Sequence, residues 1–469
     1  MSDLEKLLSK LSPEKRKLLE LKLRKEGKLG NAFPLSYAQQ RLWFLYQMEP
    51  GSTAYNIPAA VRLKGRLDQT ALEKSLNEIV RRHEILRTTF TTINGTPMQV
   101  VSSDGKIDIQ VKDISDLDKK SQEQTLNKLL AELNATHFDI KKGPLLKTSL
   151  FKLNTNEHIL HIVMHHIISD GWSVSVFVNE FSRLYTSFLN DQPSPLPPLP
   201  IQYADFAVWQ KKKLDTEIKE KQLPYWREKL GGELPVLQLP TDRPRPAVKS
   251  FRGSHRKGAI RGELVEELRQ LSRQQNTTMF MTLLSAFYTL LYRYSGQDDI
   301  SIGIPIANRN RAETEQLIGF FVNTLVLRNR FSGELTFNQL LEQTRNVSLE
   351  AFSHQDVPFE MLVEELQPER DLSHTPLFQV MFVHQNAEEG SLKLPGLEIE
   401  PVNMGNENAK FDLTLTVGEL KNELLVNFEY DTDLFEAQTI DRMQRHFQRL
   451  LAAIVANPDT PIGLLPLID

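Results

Sequence analysis

The sequence predicts an α+β fold built as two similar lobes, and three observations carry that reading. Segments with helical spacing and segments with strand patterning occur in both halves without strict alternation, unlike a doubly wound parallel sheet. Two proline-rich stretches, QPSPLPPLP at Gln192 to Pro200 and LPTDRPRP at Leu239 to Pro246, interrupt the pattern near the middle. Proline resists helix and central strand alike, so both are connectors. At 469 residues the chain also exceeds what one hydrophobic core usually serves. No residue-level repeat is clear enough to establish that one lobe duplicates the other.

The elements follow in chain order. Residues 1–32 stand apart. Leu4, Leu7, Leu8 and Leu11 recur at helical spacing. Ser12 can cap a second helix with Pro13 at its first position and Leu18, Leu19 and Leu23 on its apolar side. The segment reads as a linker resting on the main body or as a docking element for an upstream polypeptide. The first lobe, 33–210, has helical patterning at Ser36 to Tyr46 and Gln69 to Arg82. Strand patterning covers Ala59 to Leu63, Met98 to Val101 and Leu146 to Phe151. His158 to Ile168 is a strongly apolar strand, and a helix follows near Ser173 to Leu189. IQYADFAVWQKKK then starts a helix with aromatic anchors that runs towards Trp226, and the lobe boundary falls here. The second lobe, 211–469, has helices at Thr278 to Tyr294, Asn338 to Phe352 and Ala437 to Val455. Its strands are Ile300 to Ile304, Phe320 to Arg328, Leu377 to Val383, Phe411 to Val417 and Leu424 to Tyr430.

Composition removes several classes of function. A net charge of -4 argues against nucleic acid as a main partner, because phosphate binding needs a basic surface. The absence of cysteine removes thiol nucleophiles, disulfides and thiolate metal sites together, and fits a reducing, cytoplasmic setting. No apolar run approaches the roughly 20 residues of a membrane helix. The start, MSDLEKLLSKLSPEKRK, is too charged for a secretory signal. The chain reads as a soluble intracellular protein.

The stretch HILHIVMHHIISDGWS is the most informative. In a strand, Leu160, Ile162, Met164 and His166 share one face and Ile159, His161, Val163 and His165 the other. Both faces are apolar, so the strand is read as buried on both sides. His165 and His166 therefore cannot both reach one substrate. Asp170 lies where the chain turns, and a buried carboxylate needs a partner, most plausibly an arginine. Gly171 can present its N–H to a developing oxyanion without side-chain obstruction. The bland alternative is a pair of hydrogen-bonded core histidines. A metal site from His161, His165 and Asp170 lacks an acidic ligand on the shared spacing. GWSVS, at Gly171 to Ser175, lacks the final glycine of a nucleophile elbow, and no phosphate-binding glycine loop is present.

His165-His166-xxx-Asp170-Gly171 resembles the HHxxxDG signature of the condensation domains of nonribosomal peptide synthetases, within the wider chloramphenicol-acetyltransferase-like acyltransferases. Six further stretches resemble the family's motifs in the family's order. They are SYAQQRLWFL at Ser36 to Leu45, RHEILRTTF at Arg82 to Phe90, YADFAVWQ at Tyr203 to Gln210, IGFFVNTLVLR at Ile318 to Arg328, HQDVPFE at His354 to Glu360, and RDLSHTPLF at Arg370 to Phe378.

The resemblance implies a V-shaped pseudo-dimer of acetyltransferase-like lobes with a central tunnel, the second lobe including a connecting helix, a floor loop and a latch. Donor and acceptor peptidyl carrier proteins would deliver phosphopantetheine-bound substrates from opposite ends, with an adenylation domain adjoining in a larger synthetase. The domain would hold no cofactor or metal of its own. His166 would be the catalytic histidine, assisted by the Gly171 N–H, and His165 would be structural. Asp170 would pair with Arg309 of the GIPIANR stretch, and Arg87 would support the site. Trp172 reads as tunnel wall or core. Ser173 reads as a substrate contact or an exposed helix-capping serine. Asn323 reads as a contact to substrate or loop backbone, or as a satisfied buried amide. Asp356 and Glu360 read as local structural contacts. Retention of both histidines and the DGWSVSV stretch resemble amide-forming domains that take an L-configured donor. Alternatives are a non-catalytic platform for carrier proteins and a stand-alone acyltransferase using small thioesters.

Overall fold

A computed structural model describes residues 31–214, 218–368, 371–386, 392–402 and 408–468. The N-terminal helical reading, Leu4 to Leu23, lies outside the described residues.

The first lobe begins with β1 (Ala32–Pro34) and α1 (Tyr37–Met48). Ser36 closes a capping box on α1: its side chain accepts the Gln39 N–H, and the Gln39 side chain accepts the Ser36 N–H. Then come β2 (Asn56–Gly65), α2 (Gln69–Arg82), β3 (Thr88–Ile93), β4 (Thr96–Val101), β5 (Gln110–Asp113) and α3 (Lys119–Asn134). They are followed by β6 (Leu146–Asn154), β7 (Glu157–His165) and α4 (Gly171–Leu189). β7 pairs antiparallel with β2 on one side and with β6 on the other, which buries its apolar run. The apolar sequence continues to Ile168, but the strand stops at His165. His165 Nδ1 accepts the Ile167 N–H, and residues His166–Ile168 form a single tight turn. Strand alternation therefore places His165 but not His166.

A connecting region, α5 (Tyr203–Lys213) and α6 (Leu223–Leu230), leads into the second lobe. There, β8 (Gly253–Arg261), α7 (Glu263–Gln274), α8 (Met279–Ser295), β9 (Asp299–Ile306), β10 (Asn323–Arg330), α9 (Phe337–Ser353) and α10 (Phe359–Leu366) follow in turn. The lobe closes with β11 (Val380–Asn386), β12 (Leu397–Pro401), β13 (Leu413–Glu419), β14 (Glu423–Asp431) and α11 (Ala437–Ala456). Its six-stranded sheet runs β10-β9-β11-β13-β14-β8, with β11 parallel to both neighbours and the other pairs antiparallel. The first lobe holds a five-stranded sheet, β12-β2-β7-β6-β5, and a small sheet, β1-β4-β3.

The edge strand β12 comes from the second half of the sequence, yet it completes the first lobe's sheet, with Leu397 opposite Gly65 and Pro401 opposite Val61. The two larger hydrophobic cores among the described residues show the same crossing. The second core draws its buried residues from Leu214 to Leu465. The first draws on Leu35 to Phe206 and also on Leu317, Ile318, Phe320, Phe321 and Leu394. No helix among the described residues is long and apolar enough to cross a membrane.

Candidate active site

The tight turn after β7 sets His166 against Phe320, which comes from the second half of the sequence. The His166 backbone N–H donates to the Tyr55 carbonyl at 2.8 Å, which ties the turn to the turn that leads into β2. Its Nδ1 lies 2.9 Å from the Ser169 carbonyl. A carbonyl only accepts, so Nδ1 carries the ring proton and Nε2 carries the lone pair. Nε2 has no hydrogen-bond partner among the described residues, and the residue is only partly buried. Phe320 stacks edge-on against the imidazole with ring centres 5.0 Å apart. Burial first, and then the charge of Lys410, push the His166 imidazolium down to about 3, so the ring is neutral at neutral pH. His165 is buried, its Nδ1 is taken by the Ile167 N–H, and burial pushes it down to about 4.

Asp170 caps α4 and binds both lobes. Its Oδ1 accepts the Ser173 N–H at 2.8 Å and faces Arg309 Nη2 at 3.3 Å, while Oδ2 accepts the Phe321 N–H at 2.9 Å. Both partners of the ion pair are almost fully buried. Arg309 also donates Nη1 to the Thr314 and Leu317 carbonyls and Nη2 to Ser173 Oγ, and its guanidinium lies over the Phe321 ring at 4.1 Å. Ser173 is fully buried, not an exposed cap. Its hydroxyl accepts the Gly319 N–H at 3.0 Å and lies within donating distance of both the Gly319 carbonyl and Asp170. All its hydrogen-bonding capacity faces protein, which leaves none for a substrate.

The result is a backbone segment, Leu317 to Phe321, threaded from the second lobe into the first and held residue by residue. His83 Nδ1 accepts the Ile318 N–H, and the Tyr203 hydroxyl donates to the Phe320 carbonyl at 2.6 Å. A Cβ at Gly319 would lie 2.0 Å from the Tyr203 ring, so only glycine allows this approach. Sequence patterning starts a strand at Phe320. In the structure the strand starts at Asn323, because the Phe321 N–H is spent on Asp170 instead of a neighbouring strand. Beneath the segment, Glu180 accepts from Arg82 Nε and His83 Nε2, both at 2.8 Å. The two contacts of His83 define its neutral tautomer, with the proton on Nε2, and burial lowers its pKa.

The remaining sequence candidates fall elsewhere. Gly171, the first residue of α4, is exposed; a Cβ there would meet no protein atom within 4 Å, and its N–H has no protein acceptor among the described residues. The fold therefore places no demand for glycine here. Trp172 is neither core nor enclosed wall. It is 40% exposed, donates Nε1 to the Glu315 carbonyl and covers Arg309. Asn323 is a saturated buried amide: Nδ2 donates to the Gln355 and Val357 carbonyls, and Oδ1 accepts the Phe359 N–H. Arg87 donates to the Ser102 carbonyl and lies 3.7 Å from Glu84, within the first lobe. Asp356 bonds Gln222, and Glu360 lies 3.6 Å from Arg41. His161 bonds Asn134, and among the described residues no three His, Asp or Glu side chains are grouped to share a metal ion.

Sequence reasoning missed Tyr55, His83, Glu180, Tyr203 and Phe320. His83, Tyr203 and Phe320 lie inside family-like motifs, but partners separated by roughly 100 residues or more leave no local signal.

Comparison with known proteins bears on the family and the fold. A family model described as Condensation domain matches residues 30–469. A linear gramicidin synthase polypeptide of Brevibacillus parabrevis is 49% identical over 440 residues, 93% of this chain but 8% of that synthase. Among solved structures, the X-domain from teicoplanin biosynthesis superposes with a TM-score of 0.84 at 28% identity, covering 93% of this chain and 97% of that one. The condensation domain from Monacolin K polyketide synthase MokA superposes at 0.80 with 25% identity, over 92% and 99%.

Proposed function

Because this chain belongs to the family of condensation domains of nonribosomal peptide synthetases, we propose that it joins a carrier-bound acyl or aminoacyl thioester to the amine of a carrier-bound amino acid. Donor and acceptor peptidyl carrier proteins supply the two phosphopantetheine arms from opposite ends of a tunnel between the lobes. An adjoining adenylation domain belongs to the same cytoplasmic assembly. The DGWSVSV stretch after the histidines supports an L-configured donor.

The observation that carries this reading is the neutral His166, with its proton fixed on Nδ1 and its Nε2 lone pair unclaimed. The attacking amine must lose a proton as its C–N bond forms. Nε2 accepts a hydrogen bond from that amine, which aims the amine lone pair at the thioester carbon, and takes the proton as the tetrahedral intermediate develops. The C–S bond then breaks, the carbonyl re-forms, and the departing thiolate receives the proton from Nε2, so the imidazole returns to its starting state. A site that holds the imidazolium this low disfavours a lasting proton on the ring. That favours His166 as an acceptor that orients the amine over a base that stores charge. The Gly171 N–H, unpartnered at the positive end of α4, is the donor offered to the oxyanion.

The test is single-turnover peptide formation with loaded donor and acceptor carrier proteins, comparing wild type with a folded His166→Ala variant. Loss of about 10²–10⁴-fold in the variant is expected. Undiminished product would take His166 out of the chemistry. Acyl transfer from free coenzyme A thioesters at the same rate, without carriers, would favour the stand-alone alternative.

A further inference from the structure

Lys410 enters the same centre from the second lobe, just before β13. Its Nζ lies 4.9 Å from the centre of the Tyr55 ring, and the Tyr55 carbonyl is the group that holds the His166 N–H. The side chain is half-buried, yet its ammonium makes no hydrogen bond or ion pair among the described residues. A half-buried ammonium without a hydrogen-bond acceptor is costly unless something else satisfies it. The charged and titratable groups around it are Arg41, Tyr55, His165, His166 and Glu429. Glu429 attracts the Lys410 ammonium without an ion-pair contact to it, and its carboxylate lies 4.0 Å from His255. The Lys410 ammonium is thus held near Tyr55 and Glu429, with its hydrogen bonds left for a visitor.

We propose that Lys410 is a substrate-contacting residue of this reaction, donating a hydrogen bond to the carbonyl oxygen of the acyl group presented beside His166. The inference rests on the condensation reading above. The amine that bonds His166 Nε2 must also lie within bonding reach of the acyl carbon, so the carbonyl oxygen develops its charge one bond from that point. An ammonium on a flexible four-carbon stem, held against Tyr55, can follow that oxygen from trigonal to tetrahedral geometry. The two lobes then supply complementary parts, a lone pair from the first and a cation from the second. Burial first, against the pull of Glu429, lowers the ammonium to about 8. Its charge is therefore present at neutral pH and lost as pH rises through that value.

The experiment compares wild type, Lys410→Met and Lys410→Arg in single-turnover condensation from pH 6 to 9.5, with circular dichroism to confirm folding. Lys410→Met should lose about 10²-fold in rate at pH 7. The alkaline fall in rate should be present in wild type and missing from the methionine variant, and arginine should restore part of the rate. A Lys410→Met rate equal to wild type across the range would overturn the proposal, as would a loss confined to donors with acidic side chains. A second readout does not need turnover. Lysine-resolved NMR follows the Lys410 ammonium while an acyl-pantetheine amide, with NH in place of the thioester sulfur, is added. A rise in its pKa supports the contact even if no carrier pair yields product, which would count against the condensation reading alone. An unchanged ammonium would refute the contact.

Discussion

The second lobe is built from its own residues, whereas the first is finished by its neighbour. The buried part of the second core runs from Leu214 to Leu465 without a residue from the first lobe. The first core needs Leu317, Ile318, Phe320, Phe321 and Leu394, and its main sheet needs β12. Burial also shifts a different balance of ionisable groups in the two lobes. In the first, burial lowers His83, His158, His161, His165 and His166. In the second, burial raises Glu360, Glu429 and Asp431, with His384 and His446 running the other way. The lobe that carries the signature histidines is thus the dependent one, and its site exists only while the crossing segment is in place.

The most damaging way to break this asymmetry is to cut the crossing segment's anchor. Arg309→Ala strands Asp170 as a buried, unpaired carboxylate, and a loss of about 3–5 kcal/mol is expected. Urea unfolding should show the first lobe melting before the second. A single cooperative transition at wild-type denaturant concentration would contradict the claim.

Acid separates the lobes next. A histidine with a depressed folded pKa is neutral in the native state while the unfolded chain binds a proton, so its contribution is complete above 6.5 and fades as pH falls below it. For His161 and His165 that window runs from 6.5 to about 4. Carboxyls raised in the folded state act in reverse, and protonating them on acidification favours the native state. Hydrogen exchange at pH 7 and pH 5, corrected for intrinsic rates, should show protection lost in β2, β6 and β7 and kept in β13 and β14. Equal loss in both lobes would remove the distinction.

A smaller effect sharpens the comparison from the second lobe's side. Asn323→Ala leaves the Phe359 N–H and the Gln355 and Val357 carbonyls without that partner, at about 1–3 kcal/mol. The melting temperature should fall while the distance from His166 to Phe320 in a crystal structure stays near wild type. The smallest effect belongs to Gly171→Ala. Stability should stay within about 0.5 kcal/mol, because the new methyl meets no protein atom. Condensation should slow if substrate occupies that space, and an unchanged rate would show that it does not.

Much of this architecture is legible in the sequence, and the rest is hidden for identifiable reasons. The helix at Met279–Ser295 and the strands at Asp299–Ile306, Leu413–Glu419 and Glu423–Asp431 follow from apolar patterning, with ends shifted by one or two residues. β8, α3, α7 and β12 escape that reading. α3 buries only Leu126 and Leu130 fully, and β12 is an edge strand whose partner lies more than 300 residues away. At the site, the Asp170–Arg309 contact can be anticipated only through family motifs, since 139 residues separate the two. The break after His165 has no proline or glycine to announce it, and it is made by a side chain accepting a backbone N–H two residues on. Lys410 sits outside every stretch that resembles a family motif, and only folding brings it beside Tyr55.

The strand β12 makes the association of the lobes a matter of discrete steps. Its five residues are paired one to one with β2, and Leu397 and Ile399 turn towards the first core. Sliding along β2 by one residue would exchange the inward and outward faces, so the nearest alternative that keeps Leu397 and Ile399 inward is two residues away, about 6.8 Å. Under a pull that separates the lobes along that strand, the clasp therefore either holds its register or jumps a full notch.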